Sequence, residues 1–223
     1  MYSFPFIIEL ISCLLNYSVL FNIIYKNMNI SEIIKSNFEE NNKVNQECIV
    51  DVITDVENAL DIIINMLNHG GKLLTCGNGG SSGDAQHIAS EFINRFELER
   101  QPLPAISLNS DTATLTSIAN DYAYEEVFAK QIQAIGKKED VLMAFTTSGN
   151  SENITKAIYE ATCKHIPTIL ITGNDGGKAK DYVEENGCTI IIPSKRTSRI
   201  QEMHLIIIHA ICECIDQYIK NKN

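Results

Sequence analysis

The chain has 223 residues, 44% of them hydrophobic and 21% charged, with 12 Gly and 5 Pro, which suits one globular domain with terminal additions. A formal net charge of −10, from 18 Lys and Arg against 28 Asp and Glu, excludes a nucleic-acid surface, because no element concentrates the cations. It leaves room for a phosphate ligand, which needs only a local cradle.

The first 27 residues stand apart from the rest. Residues 4–25 are almost wholly apolar, interrupted by Glu9, Asn16 and Asn22, with no basic residue before Lys26. A signal peptide would need a positive leader and a small-residue cleavage site, and neither is present. The length would allow a membrane span, but Glu9 and the two asparagines weaken it. The favoured reading starts the native protein at Met28 and treats residues 1–27 as upstream sequence translated in error. A membrane or docking helix is the alternative.

Residues 29–68 form a helical pattern, with Ser31 as the expected N-cap. Ile49, Val52, Val56, Leu60, Ile63, Ile64 and Leu67 make a stripe at helical spacing, fit to pack on a sheet or on another subunit. Beyond it, short apolar runs at 72–76, 104–108, 141–145, 168–172 and 189–192 read as strands. Helical patterns at 84–96, 112–120, 124–135, 153–165 and 177–185 lie between most of them, and one more at 196–218 closes the chain. Such alternation predicts an α/β fold, a parallel sheet with helices on both faces, and no second domain beyond 28–223. Ligands in such sheets sit beyond the carboxyl ends of strands, which singles out the loops 77–82, 146–151 and 173–177.

The first loop opens the stretch G-N-G-G-S-S-G-D-A-Q-H-I-A-S-E-F-I-N-R, Gly77 to Arg95. Glycines allow close backbone approach, and a helix N-terminus offers free N–H groups and a favourable dipole to an anion. His87 and Glu91, four residues apart, share a face of the helix that follows. They are competent metal ligands, a base with its partner, or a solvated pair. Thr146-Thr147-Ser148-Gly149-Asn150-Ser151 is a second phosphate-type loop, and it lacks the G-K-[ST] of a Walker loop. Asp175-Gly176-Gly177 reads as a plain turn. On the closing helix stand Gln201, His204 and His209. Gln201 and His209 are about 12 Å of helix rise apart, so both reach one ion from the same helix only at full stretch, which points to a distorted helix or to ligands drawn from a neighbouring subunit. The seven cysteines, including the closely spaced Cys212 and Cys214, read as buried free thiols of a reducing cytoplasm rather than zinc ligands.

Taken together these motifs resemble the sedoheptulose 7-phosphate isomerases (phosphoheptose isomerases) of the sugar-isomerase (SIS) domain superfamily. The likeness runs from about Asn29 to the C-terminus. It rests on G-N-G-G-S at 77–81, D-A-Q-H-x-x-x-E at 84–91, N-D at 120–121, T-S-G-N-S at 147–151, T-G-N-D-G-G at 172–177 and R-I-Q-E-x-H at 199–204 followed by His209. The resemblance implies a single flavodoxin-like SIS domain with a five-stranded parallel sheet and N-terminal helices, in a cytoplasmic homotetramer with active sites between subunits. It implies one zinc ion per subunit on His87, Glu91, Gln201 and His209. Substrate contacts fall on Asn78, Gly79, Gly80, Ser81, Glu91, Arg95, Asn120, Asp121, Thr146, Thr147, Ser148, Ser151 and Gln201, and the acid/base pair on Glu91 and His209. Ser198 departs from the pattern, standing where many members carry an aspartate.

The implied reaction converts sedoheptulose 7-phosphate to D-glycero-D-manno-heptose 7-phosphate through an enediol, supplying surface heptose for lipopolysaccharide or capsule. Such chemistry needs a base at the carbons, an acid/base group at the oxygens and stabilisation of an oxyanion. The alternative is a non-catalytic SIS module that assembles a replication initiator, but such a protein has no use for His87, Glu91, Gln201 and His209 together.

Overall fold

A computed structural model describes residues 28–222, so the readings of the apolar leader, 1–27, fall outside the described residues. By their contacts the described residues divide into a unit ending at Asn42 and one beginning at Lys43. Helix α1 (Ile30–Asp51) starts in the first unit. Its cap is Asn29, whose Oδ1 accepts the Glu32 N–H at 3.2 Å, and not the expected Ser31. The helical stretch predicted over 29–68 is two helices, because Val52 leaves ideal helix geometry at φ −114° and ψ −7° before α2 (Ile53–Asn68).

The sheet contains strands β1 (Leu73–Gly77), β2 (Ala105–Ser107), β3 (Val141–Thr146), β4 (Thr168–Gly173) and β5 (Cys188–Ile192). All pairings are parallel and the order is β2-β1-β3-β4-β5. This is the flavodoxin-like order, in which the sense of strand addition reverses between β1 and β3 and opens a crevice at their carboxyl ends. Between the strands lie α3 (Gly80–Ile93), α4 (Thr112–Asp121), α5 (Ala129–Ile135) and α6 (Glu152–Cys163), and α7 (Thr197–Lys222) ends the chain.

Every residue of β1, β3 and β4 is buried, as expected of parallel strands covered on both faces. Side chains alternate between those faces. Leu73, Met143, Phe145, Ile169 and Ile171 pack with Ile63 of α2, Ile88 and Phe92 of α3, and Met203 and Ile207 of α7. Leu74, Leu142, Ala144 and Leu170 meet Ile132 of α5 and Ile154 and Ile158 of α6.

Two predicted helices shrink. The stretch at 177–185 is only a 3₁₀ turn, Lys178–Tyr182, entered through left-handed glycines at Gly176 (φ 86°) and Gly177 (φ 56°) and left through extended Val183. The stretch at 124–135 is a 3₁₀ turn, Tyr124–Glu126, followed by α5. Helix α3 grows instead, beginning at Gly80 rather than Asp84. Gly80, Ser81, Ser82 and Gly83 are weak helix formers, so composition hides the turn that Gly79 starts at φ 55°. Among the described residues no helix is long and apolar enough to cross a membrane.

Ile63 is fully buried at the centre of the α2 contact with the sheet. Ile63→Ala should cost about 2–5 kcal/mol, measured as a lowered midpoint in urea with an unchanged slope.

Candidate active site

The carboxyl ends of β1 and β3 and the start of α7 enclose a cavity of about 270 Å³. Its walls include Asn78, Gly79, Gly80, Ser81, Thr146, Thr147, Ser151 and Gln201. Eight of the expected substrate contacts therefore meet in one place.

The β1 loop is fixed from several sides. The Asn109 side-chain amide accepts the Gly77 N–H at 3.1 Å and donates to the Gly77 carbonyl at 2.9 Å. Asn78 and the buried Asn153 exchange side-chain hydrogen bonds of 2.7 and 2.9 Å, and the Tyr124 hydroxyl donates to Asn78 Oδ1 at 3.1 Å. At Gly80 a Cβ would meet the Gln201 amide, which would have to swing away to admit it. That amide therefore lies against the backbone at the N-terminus of α3.

On the other side, Thr146 Oγ1 and Ser151 Oγ lie 3.4 Å apart, with Ser151 at the N-cap of α6. Ser148 is exposed in the same loop, and its Oγ accepts the Asn150 N–H at 3.1 Å. Asn150 Oδ1 accepts the Lys178 N–H and the Gly149 carbonyl accepts that of Ala179, at 3.2 and 2.8 Å. The Asp175 turn, closed by its own Oδ1 on the Gly177 N–H at 3.1 Å, thus backs the phosphate-type loop as plain structure. Hydroxyls, a helix N-terminus and little charge make this cavity suited to an oxyanion such as a phosphate.

A second cluster lies further along α3 and α7. His87 Nε2 is 3.3 Å from Glu91 Oε1 and 3.3 Å from His209 Nε2, with the imidazoles edge-on. The Phe96 ring stacks on His209 at a centroid distance of 5.5 Å. Both 3.3 Å separations lie beyond the usual hydrogen-bond mode, but they equal the ~3.3 Å edge of a tetrahedron whose metal–nitrogen bonds are about 2.0–2.1 Å. The donor chemistry, two imidazoles and a carboxylate, fits a divalent ion. Among the described residues, however, no three His, Cys, Asp or Glu side chains close into a group that holds an ion unaided.

Gln201 does not join these donors within one chain. Helix α7 is continuous from Thr197 to Lys222, which removes the distorted-helix alternative. The two glutamine-to-histidine turns of rise leave Gln201 at the cavity and His209 beside His87. Arg95, Asn120 and Asp121 are likewise not drawn in. Arg95 pairs with Glu99 at 3.3 Å, and Asn120 donates to Asp121 at 2.9 Å on the exposed end of α4.

The expectation of buried free thiols holds only in part: Cys48, Cys76 and Cys212 are buried, but Cys188 is half-buried and Cys163 and Cys214 are exposed at helix surfaces. Burial, with the Glu91 carboxylate adding to it, pushes Cys212 up to about 12, and burial foremost pushes Cys48 up to about 11. Cys212 is buried and Cys214 exposed, so the pair shares no face for a metal.

Sequence reasoning did not single out Asn109, Tyr124, Asn153, Arg100 or Asp216, whose hydrogen bonds join segments near the site across long stretches of chain. No local signal marks them. Asp84 stood inside a recognised motif, yet its contact, a 3.3 Å approach to Nδ1 of fully buried His204, joins α3 to α7 over 120 residues.

Comparison with known proteins matches residues 38–173 to the SIS domain. The phosphoheptose isomerase of Alteromonas mediterranea is 48% identical over 185 residues, covering 83% of this chain and 93% of the relative. That of Helicobacter pylori is 44% identical, covering 87% of this chain and 100% of the relative. The structure of a phosphoheptose isomerase from Francisella tularensis superposes with a TM-score of 0.83 at 39% identity, over 85% of this chain and 100% of that one.

Gly149 combines φ 64° with a backbone so close to Gly176 that a Cβ would collide with its carbonyl oxygen. Strain of about 1–3 kcal/mol should make Gly149→Ala bind inorganic phosphate about tenfold or more weakly, read by calorimetry. The helix content should stay unchanged.

Proposed function

The chain belongs to the phosphoheptose isomerases of the SIS-domain superfamily and catalyses phosphoheptose isomerisation in heptose biosynthesis, and from that premise we propose how its residues divide the work. The observation that carries the proposal is the pair of sites along α3: an oxyanion cavity at its N-terminus and a His87–Glu91–His209 cluster one to three turns on. Ser81 and His87 are six residues apart, about 9 Å of rise, comparable with the reach of a seven-carbon chain bearing a terminal phosphate.

The substrate is sedoheptulose 7-phosphate. Its phosphate takes hydrogen bonds from Ser81, Thr146, Thr147, Ser148 and Ser151 and from the N-terminus of α6, and Asn78 with the Gly79–Gly80 backbone orients the adjoining carbons. Binding the unreactive end fixes the reactive one, lowering the entropic part of the barrier. His209 assists ring opening. Glu91 then removes a proton from C1 of the open ketose and returns it to C2. In the same passage His209 gives a proton to the C2 oxygen and takes one from the C1 hydroxyl. The net change moves two hydrogens within one molecule, needs no external oxidant, and yields D-glycero-D-manno-heptose 7-phosphate.

The family's zinc site falls on His87, Glu91, Gln201 and His209, and the distances around His87 support that donor set. When bound, a divalent ion would stabilise negative charge developing on the sugar oxygens. The position of Gln201 in one chain argues that a second copy supplies it. Exposure of Arg95, Asn120 and Asp121 supports the same arrangement, a homotetramer with active sites between subunits. An apolar groove of about 330 Å³ between α2, the end of α1 and α7, bordered by exposed Ile49, Ile53 and Ile206, offers a surface for such assembly.

Glu91→Gln should leave inorganic phosphate affinity within about twofold while lowering kcat by at least about a hundredfold; near-normal turnover would remove Glu91 from the mechanism. Turnover of sedoheptulose 7-phosphate should also fall on chelation and return on adding zinc. Activity indifferent to chelator would keep the proton-transfer roles and discard the ion.

A further inference from the structure

We infer that Arg100 and Asp216 form a positioning pair that holds Glu91 and His209 in working alignment. The inference rests on the assignment of those two residues as the proton-moving groups, and goes beyond it by naming what sets their geometry.

Arg100 lies in the loop between α3 and β2, and its side chain is only 3% exposed, that of Asp216 on α7 only 1%. The guanidinium Nε donates to Asp216 Oδ1 at 2.6 Å. Nη2 donates to the carbonyl of Glu91 at 2.8 Å, and Nη1 to the carbonyl of Phe92 at 3.1 Å. Helix α3 ends at Ile93, so these two carbonyls are among the last four, which the helix itself cannot satisfy. Arg100 therefore grips the backbone of the proposed base itself. Because the guanidinium is planar and rigid, it fixes both carbonyls relative to the carboxylate on the opposite helix.

Asp216 completes the other half. Its Oδ2 accepts the N–H groups of Glu97 and Leu98 at 3.0 and 2.9 Å, which anchors the loop that carries Arg100. Burial raises the Asp216 carboxyl, but hydrogen bonds from Leu98, Arg100 and Glu97 hold it below the usual carboxylate range, so it remains charged. Asp216 stands seven residues after His209, two turns along the same face of α7. One guanidinium thus links the main chain at Glu91 to the helix bearing His209.

A buried ion pair is a poor source of stability, and apolar replacements of similar volume are often neutral or better. Replacing both side chains together therefore leaves no lone buried charge, and kcat can be read on the folded fraction. The test uses the full chain carrying Arg100→Met with Asp216→Leu. The inference expects a chain that still folds at the assay temperature, with a lowered unfolding midpoint because the carbonyls of Glu91 and Phe92 and the N–H groups of Glu97 and Leu98 lose their side-chain partners. Amides at 88–93 should exchange faster with solvent deuterium while those of α2 do not change. A shift of the reacting groups by even part of an ångström should lower kcat about tenfold to a hundredfold. The phosphate cavity lies at the far end of α3, so KM should stay within about twofold.

A folded double variant with normal kcat overturns the inference, as does a loss of kcat and KM together in proportion to the unfolded fraction. Should the double variant fail to fold, Arg100→Lys takes its place. An ammonium concentrates its three donors at one point and does not match acceptors spaced to a planar fork, so the same split between kcat and KM is expected and normal kcat again overturns it. An inactive Glu91→Gln beside a fully active clamp variant would sink the pair alone; an active Glu91→Gln would sink the assignment beneath it.

Discussion

Helices α3 and α7 run parallel, as the pairing of Asp84 with His204, His87 with His209, and the segment after α3 with Asp216 requires. Parallel helices point their dipoles in the same sense, so the backbone offers no electrostatic reason for them to lie side by side. Side chains have to supply it. Ala85, Ile88 and Phe92 share one apolar cluster with Ile200, Met203 and Ile207, and this removes both faces from water. Apolar contact is tolerant of sliding, however, and the polar contacts are not. A slip of one residue on α7 would displace its side chains by about 1.5 Å and turn them by about 100°, which would undo all three contacts at once.

On the proposed division of work, that register lets one helix serve two ends of a substrate. At the N-terminus of α3 the Ser81 and Ser82 N–H groups turn back onto the Asn78 and Gly79 carbonyls at 3.0 and 3.1 Å, and the next turns carry His87 and Glu91. The distance between an anion seat and a proton-transfer group is then a property of helix pitch, insensitive to loop motion. The loops add close approach: Gly80 lets the Gln201 amide lie against the backbone, and Gly149 lets its loop rest on Gly176.

Much of this was legible in the sequence, because it is written locally. Five apolar runs became five parallel strands, and the glycine loop followed by His87 and Glu91 became a helix N-terminus with both side chains on one face. Element edges were less legible where composition and conformation disagree: Gly80 to Gly83 are helical although they read as turn, and residues 177–185 are mostly not helical although they read as helix. The separation of Gln201 from His209 was foreseeable from helix rise, but that α7 runs unbroken between them had to be seen in the structure. The supports were not legible at all. Asn153 pairs with Asn78 across 75 residues, and Asp216 with Arg100 across 116. Nothing in the neighbourhood of either residue announces a partner so distant.

The reciprocal amide pair of Asn78 and Asn153 has a consequence for ligand capture. Each asparagine donates to the other's oxygen, so neither can rotate without breaking two bonds. One belongs to the loop after β1 and the other to the first turn of α6, behind the loop after β3. The two rims of the cavity are therefore stitched into a single rigid frame before any ligand arrives. The conformational freedom that a flexible pair of loops would surrender on binding has already been surrendered in folding. An incoming oxyanion meets a cradle with its donors in place, and its affinity is spared the cost of assembling them.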